Sequence, residues 1–227
     1  MHCSRHQSSP AHDSHATAAV AMSSVSLDSR HAQGAHTELH EMTPPLRLSR
    51  PPLFVSSNAG KAREFASILG FPLERLEADI PEIQALDVSE VVHAKALAAF
   101  ALAGQPVLVE DTGLSVTALQ GLPGALVKWF LATVGPAGIC AMLPPDAPRT
   151  AIARTAVALH DGSDVTVLIG EVPGQIVTSP RGTHGFGWDP IFQPDGATGT
   201  FAELSQDEKD RFSMRRAALE QLRDLLA

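Results

Sequence analysis

The chain has 227 residues, 44% of them hydrophobic, and a formal net charge of −8. That length suits one sizeable domain or two small lobes. The apolar runs fall short of the roughly 20 residues that a bilayer span needs, so we expect no membrane partner. The 17 basic residues are scattered, which argues against a nucleic-acid partner. Two cysteines give no disulfide framework, and we expect a reducing, cytoplasmic location.

Residues 1–50 differ in composition from the rest of the chain. They are rich in serine and alanine, and seven of the ten histidines lie there, namely His2, His6, His12, His15, His31, His36 and His40. Because no periodicity is sustained, we predict a disordered His-rich N-terminal extension at 1–50 and a folded domain at 51–227. A histidine-rich metal carrier, with its function in residues 2–40, is the alternative interpretation of this segment.

Strands and helices alternate from residue 53 onward. Hydrophobic periodicity and capping residues predict a strand at 53–57, a helix at 61–69, a helix at 89–103 with Ser89 as N-cap, a strand in PVLVED, helices at 125–134 and 137–143, a hairpin around Asp161 and Gly162, and a helix at 214–226. This order predicts an α/β fold with a mixed central β-sheet flanked by helices.

The stretch SSNAGKAREF carries a strand through a small turn into a helix. Such a junction presents backbone N–H groups and the positive end of the helix dipole, which suit phosphate, and Lys61 adds a cation. Its spacing is not that of the usual P-loop. Taken alone, an Asn-Ala-Gly sequence before a helix is also typical of an ordinary turn.

Two adjacent carboxylates, Glu110 and Asp111, follow the apolar run of PVLVED. At the end of a strand their mutual repulsion costs folding energy unless a cation relieves it. Magnesium is the oxygen-seeking ion that binds one or two carboxylates together with phosphates, and Glu82 in DIPEIQ is a further candidate ligand. A solvated acidic turn is the alternative interpretation.

Two later clusters have aromatic and basic side chains. HGFGWDPIFQPDG places Phe186 and Trp188 beside Asp189, which favours stacking on a nucleobase, or else a core plug at a strand end. KDRFSMRR brings Lys209 and several arginines to the start of the last helix, where basic side chains oppose the helix dipole. An anionic ligand or a solvated charged face would each account for them.

Together these four clusters resemble the inosine triphosphate pyrophosphatase family. The matching motifs are SSNAGKARE, EDTGL followed by GLPG, FGWDPIF with TFAEL, and a lysine followed by Ser-x-Arg, and they extend from about residue 53 to residue 226. The resemblance implies two lobes with the active site in the cleft between them, an NTP pyrophosphatase domain at 51–227 and a homodimer. It also implies that ITP, dITP and XTP are hydrolysed to the monophosphate and pyrophosphate, so that deaminated purines are not incorporated into DNA or RNA.

The resemblance also assigns roles to individual residues. Asp111 would activate water and, with Glu82, bind Mg2+, while Lys61 would complete the catalytic set. Glu110 would be an auxiliary acid that attracts the cation. The substrate-binding residues implied are Ser56, Ser57, Asn58, Ala59, Gly60, Lys61, Lys95, Thr112, Lys128, Phe186, Gly187, Trp188, Asp189, Lys209, Ser213, Met214 and Arg215.

Met214 departs from the family pattern, which has Ser-His-Arg where this chain has Ser213, Met214 and Arg215. Methionine lacks the imidazole hydrogen bond toward a purine edge, so we expect discrimination of the 6-keto group to weaken by roughly 1 to 3 kcal/mol. Two alternatives therefore stay open at this point. One is a pyrophosphatase for a different nucleoside triphosphate, and the other is a nucleotide-binding sensor without catalysis.

Overall fold

The computed structural model describes Leu46, Leu48 and residues 50–227. The extension predicted at 1–50, with all seven of its histidines, otherwise lies outside the described residues. Leu46 donates its backbone N–H to the Leu225 carbonyl at 2.9 Å. Leu46 and Leu48 both pack against a core cluster of the folded domain. None of the helices in the described part is long and apolar enough to cross a membrane.

The described residues form one seven-stranded sheet with helices around it. The strands are β1 Leu53–Val55, β2 Arg75–Leu76, β3 Val107–Val116, β4 Pro123–Gly124, β5 Thr150–His160, β6 Val165–Ile176 and β7 Phe192–Pro194, and the helices are α1 Ala59–Leu69, α2 Val88–Ala103, α3 Val127–Thr133, α4 Gly135–Ala141, α5 Gln206–Asp210 and α6 Met214–Leu226. The strand order is β2-β1-β3-β5-β6-β7, with β4 paired to β3. Strand β1 is parallel to β2 and β3, and the other pairs are antiparallel. The predicted α/β class with a mixed sheet is therefore confirmed.

Each face of the sheet buries a different set of side chains, because alternate residues of a strand point to opposite sides. Helices α1 and α6 cover one face, where Phe65 and Leu219 pack on Leu108 of β3. Helix α2 covers the other face, where Val92 packs with Val109 of β3 and Ala158 of β5. A third cluster lies further along β3, around Leu114, and includes residues of α3, α4 and the segment 188–204.

Strand β3 is longer than the sequence predicts. The apolar run ends at the two carboxylates, yet the ladder with β5 continues without a break from Val107 opposite His160 to Val116 opposite Ala151. The prediction that Glu110 and Asp111 end a strand is wrong, because cross-strand pairing outweighs the local polar composition. The two carboxylates lie in mid-strand and point to opposite faces of the sheet.

Helix starts also differ from the predicted ones. Asp87, not Ser89, is the N-cap of α2, and its carboxylate accepts the Ser89 N–H at 2.9 Å. The short helix α5 was not predicted, although Ser205 and Glu208 form a complete capping box before it. Its signal, Ser-x-x-Glu, is present in the sequence.

Glycines in EDTGL and GLPG allow a close backbone contact. Gly124, with φ of +57°, lies against the backbone of Leu86, whose carbonyl accepts the Ala125 N–H at 2.9 Å. A Cβ at Gly113 would lie 2.6 Å from the Val88 side chain and 3.0 Å from the Gly124 carbonyl carbon. This contact fixes the end of the loop that follows β2 and carries Glu82.

We predict that Gly124→Ala destabilises the fold by about 2 to 4 kcal/mol, because the new Cβ combines an unfavourable positive φ with a clash against the Leu86 carbonyl. Gly70→Ala is the matched control, since Gly70 has φ of +79° and open space around its Cβ position. Its cost should be about 1 kcal/mol. Urea unfolding of both variants measures the difference, and equal costs would show that the close contact does not matter.

Candidate active site

Most of the predicted phosphate and metal residues line one cavity of about 280 Å3. It lies where the end of β1, the start of α1, the middle of β3 and the loop after β2 meet. The predicted residues among its lining are Ser56, Ser57, Asn58, Lys61, Glu82, Lys95, Asp111, Thr112 and Lys128. Residues up to 72 positions apart in the sequence, from Ser56 to Lys128, thus line one cavity. The two remaining predicted residues of the turn, Ala59 and Gly60, begin α1.

The turn before α1 is internally hydrogen-bonded. The Asn58 side-chain oxygen accepts the N–H groups of Gly60 at 2.9 Å and Lys61 at 3.3 Å. The Ser56 hydroxyl accepts the Asn58 N–H at 3.1 Å. The prediction that this junction presents N–H groups to a phosphate is therefore wrong for these three amides, which already donate to side chains of the turn. The Asn58 side chain is the N-cap of α1. An anion at this end is attracted by the helix dipole and by the Lys61 side chain.

Three lysines line the cavity together with four acids, Asp79, Glu82, Glu110 and Asp111. Lys61, Lys95 and Lys128 all contribute to its lining. The Lys95 ammonium pairs with Glu82 at 2.6 Å and donates to the backbone carbonyl of Glu110 at 3.3 Å. The lysines suit the phosphates of a small polyanion such as a nucleoside triphosphate, and the acids suit a divalent cation bound with it.

Asp111 projects to the α2 side of the sheet and reaches the cavity. Burial raises the pKa of Asp111; Lys95 lowers it, Glu82 raises it further, and the outcome is a pKa of about 6. A carboxylate with a pKa near the working pH can accept a proton from water and still be ionised at neutral pH. Asp111 is therefore the described residue best suited to act as a general base here.

Glu110 projects to the opposite side and is held by cations. Its side chain is 1% exposed, and it accepts two hydrogen bonds from Arg215, at 3.0 and 2.9 Å, and pairs with Lys61 at 3.2 Å. Burial alone would raise its pKa, but Arg215 and Lys61 lower the pKa of Glu110 to about 2. The pair therefore stabilises the fold above pH 4.5, and that stabilisation is lost as the pH falls toward about 2. Glu110 thus binds the protein's own cations and also lines the cavity, and its role as an auxiliary acid for a metal stays a prediction.

A second cavity, of about 240 Å3, adjoins the first. The two share six lining residues, namely Asp79, Ile80, Glu82, Asp111, Ala125 and Lys128. The second cavity is completed largely by apolar side chains, among them the exposed Trp129. The sequence interpretation missed Asp79 and Trp129; an acid three residues before Glu82 was the available signal for the first of them.

The predicted base-side residues form a separate group. The Asp189 carboxylate accepts the Phe186 N–H at 2.9 Å and pairs with Lys209 at 2.6 Å. The Lys209 ammonium lies 5.8 Å from the Phe186 ring centroid, and that ring is 74% exposed. Trp188 is only 8% exposed and packs edge-on against Phe192. Phe186, rather than Trp188, is the aromatic side chain available for stacking.

The remaining predicted residues have structural contacts of their own. Ser213 caps α6 by accepting the Arg216 N–H at 3.1 Å. Met214 is half-buried and packs against the core cluster around Leu114. Gly187 adopts a positive φ in the loop beside Trp188. None of the residues at 186–189, 209 or 213–215 lines either of the two described cavities, and the cleft between two lobes stays a prediction.

We predict that Asp111→Asn makes the fold more stable near neutral pH. The folded-state pKa of about 6 lies above the ordinary 3.8, so stability associated with Asp111 is present below pH 3.8 and lost as the pH rises through 6. Replacing the carboxylate removes that loss, and the gain relative to the native chain should grow by about 1 to 2 kcal/mol between pH 4 and pH 7. Urea unfolding with a chelator present measures it. A gain independent of pH would contradict the burial of this charge.

Comparison with known proteins finds closely similar sequences. The inosine triphosphate pyrophosphatase of Yarrowia lipolytica is 44% identical over 180 residues, covering 77% of this chain and 95% of that protein. That of Schizosaccharomyces pombe is 42% identical over 178 residues, covering 77% and 94%. Inosine triphosphate pyrophosphatase 1 of Trypanosoma cruzi is 44% identical over 169 residues, covering 73% and 86%.

Solved structures with the same fold agree with these relatives. A HAM1 protein from Coxiella burnetii superposes with a TM-score of 0.70 at 28% identity, covering 78% of this chain and 98% of that one. A nucleoside-triphosphatase, dITP/XTP pyrophosphatase, from Mycobacterium abscessus gives 0.66 at 29% identity, covering 76% and 98%. The Ham1 family model matches residues 53–225. With this match and identities of 42% and more over most of the folded domain, the chain belongs to the Ham1 family.

Proposed function

We propose that this protein hydrolyses non-canonical purine nucleoside triphosphates, ITP, dITP and XTP, to the monophosphate and pyrophosphate. The observation that carries the proposal is the placement of Asp111, with its pKa raised to about 6, in a cavity lined by three lysines. A base poised near neutral pH beside a polyanion site suits attack of water on a phosphoanhydride. The names of the relatives, inosine triphosphate pyrophosphatase and dITP/XTP pyrophosphatase, support the same substrate class.

The donor set of the cavity fits a magnesium ion. Among the described residues no cluster of three or more acids, histidines and cysteines forms a complete metal cage. Glu82 and Asp111 nevertheless line the same cavity, and their charges are close enough for Glu82 to raise the pKa of Asp111. Mg2+ is commonly held by one or two carboxylates plus waters and substrate phosphates. We therefore assign Glu82 and Asp111 to Mg2+, which when bound would supply charge neutralisation to the triphosphate.

The chain's own side chains account for the proposed hydrolysis. Asp111 accepts a proton from water as the water oxygen bonds to the α-phosphorus, and the bond to the β-phosphate oxygen breaks. Lys61, Lys95 and Lys128 stabilise the negative charge that builds up on the phosphate oxygens. The products are the nucleoside monophosphate and pyrophosphate, and the proton that Asp111 accepted passes to solvent, so every atom of water and substrate is accounted for.

Base selection is proposed for the group of Phe186, Asp189 and Lys209. Phe186 offers an exposed ring for stacking, and the ion pair of Asp189 with Lys209 offers polar atoms beside it. Met214 packs into the core and has no polar atom for a purine edge. The weaker discrimination expected from the sequence therefore stays part of the proposal, together with the homodimer and the cytoplasmic location.

We predict selective, magnesium-dependent release of pyrophosphate from ITP and XTP in a panel that includes GTP, ATP and dUTP. Asp111→Asn should lower kcat by about 10²- to 10⁴-fold, because it removes the proposed general base. Asp146→Asn, an identical substitution at an exposed turn residue, is the control and should keep the native rate.

Three results would each contradict part or all of this proposal. Native rates in the Asp111→Asn protein would exclude Asp111 as the base. Release of pyrophosphate from GTP and ATP at rates equal to those with ITP would instead retain the chemistry and refute the selectivity, which Met214 leaves open. Absence of turnover with every nucleotide, combined with measurable binding, would favour a nucleotide sensor.

A further inference from the structure

The Arg215 side chain is engaged beside the phosphate-side lysine, although the sequence resemblance places it with the base-side residues. Its Nε donates to Glu110 Oε2 at 3.0 Å and its Nη2 to Glu110 Oε1 at 2.9 Å. Its Nη1 donates to Glu64 Oε2 at 2.8 Å. Each of the three guanidinium nitrogens thus has a carboxylate partner, and none of the hydrogen bonds among the described residues joins Arg215 to Phe186, Asp189 or Lys209.

Glu110 makes more and shorter contacts with Arg215 than with Lys61. Both of its oxygens bind Arg215 in the two-pronged geometry that a guanidinium allows. Its Oε1 also accepts the Thr112 hydroxyl at 3.0 Å and contacts the Lys61 ammonium at 3.2 Å. The Lys61 contact is the longest of the four, and the Lys61 side chain is 29% exposed. The lysine is therefore paired with Glu110 while it also lines the cavity.

Arg215 affects the strength of the ion pair between Glu110 and Lys61. Glu110 is 1% exposed, and its ion pairs in the described part of the chain are with Arg215 and Lys61. Without Arg215, Lys61 would be the remaining cation, among the described residues, that pairs with the buried Glu110 carboxylate. A buried, unshared ion pair of this kind holds its cation firmly. Lys61 would then be drawn toward the sheet and away from an incoming phosphate.

We propose that Arg215 is a positioning residue for Lys61: by occupying both oxygens of Glu110, it leaves the Lys61 ammonium available to the phosphate groups of a bound nucleotide. The inference rests on the proposed function only in taking the cavity as a phosphate site. It differs from the base-contact role that the resemblance implies, because its effect is on the phosphates that all nucleotides share. It also explains why a guanidinium, with its two-pronged geometry, is present at the start of α6.

The proposal predicts that Arg215→Met weakens binding of pyrophosphate, the phosphate-only probe, by about tenfold, which is the size of one charge-assisted hydrogen bond. KM should rise by the same factor for ITP, XTP and GTP. In a Lys61→Met background the effect of Arg215→Met should vanish, because Arg215 acts through Lys61. Arg154→Met is the matched control; Arg154 pairs with Glu171 and lines neither cavity, so pyrophosphate binding should be unchanged.

The experiment is calorimetric titration of pyrophosphate, with magnesium, into the full-length native protein, the two single variants, the double variant and the control. A pyrophosphate affinity that Arg215→Met leaves unchanged, with KM altered for one base and not another, would overturn the proposal in favour of base contact. An equal loss in both lysine backgrounds would overturn it in favour of a general structural or electrostatic effect.

Two further outcomes keep the test decisive. If Arg215→Met does not fold, Arg215→Lys retains the charge but loses the two-pronged contact, and the proposal expects a smaller loss that again vanishes with Lys61→Met. Unchanged affinity in Arg215→Lys would overturn it in that case. If the native protein binds pyrophosphate but hydrolyses no triphosphate, the proposed function is refuted, and the comparison of the single and double variants still tests the role of Arg215. If the native protein binds no pyrophosphate, the inference itself is overturned.

Discussion

The alternation of side chains along β3 is the constraint on which the site depends. Glu110 and Asp111 are neighbours in the chain, yet the continuous ladder with β5 sends one carboxylate to the α1 and α6 face and the other to the α2 face. The two side chains therefore point to opposite faces of the sheet, although both residues line the cavity. Arg215 and Lys61 hold Glu110, whereas Lys95, with a smaller effect from Lys61, is the cation that lowers the pKa of Asp111.

That separation gives two adjacent carboxylates opposite properties. Glu110, fully paired, is an acid whose pKa falls to about 2, and its role is to hold positive groups in place. Asp111, buried and facing Glu82, has a pKa raised to about 6 and carries the proposed proton transfer. Because the surroundings of the two acids differ, their pKa values differ, and one site can hold two carboxylates with different affinities for a proton at the same pH. Burying the Asp111 carboxylate lowers the stability of the fold near neutral pH, and the proposed proton transfer depends on the raised pKa that results.

Local signals in the sequence predicted part of this arrangement. Helix α6 and the hairpin at Asp161 and Gly162 follow from periodicity and turn residues, and the resemblance supplied most residues of the cavity lining. Strands β2, β4 and β7, of two or three residues each, are too short to leave a pattern. The continuation of β3 through Glu110 and Asp111 depends on pairing with β5, and the contact of Arg215 with Glu110 joins residues 105 apart. Both are tertiary, and no local pattern contains them.

Hydrolysis of ITP in water enriched in oxygen-18 tests the central claim most directly, because it shows which phosphorus atom the water attacks. The account places the activated water of Asp111 at the α-phosphorus and predicts that the heavy oxygen is found in inosine monophosphate, with unlabelled pyrophosphate. Mass spectrometry of the two products distinguishes them. Label in the pyrophosphate, or release of labelled inorganic phosphate with inosine diphosphate, would contradict the proposed chemistry.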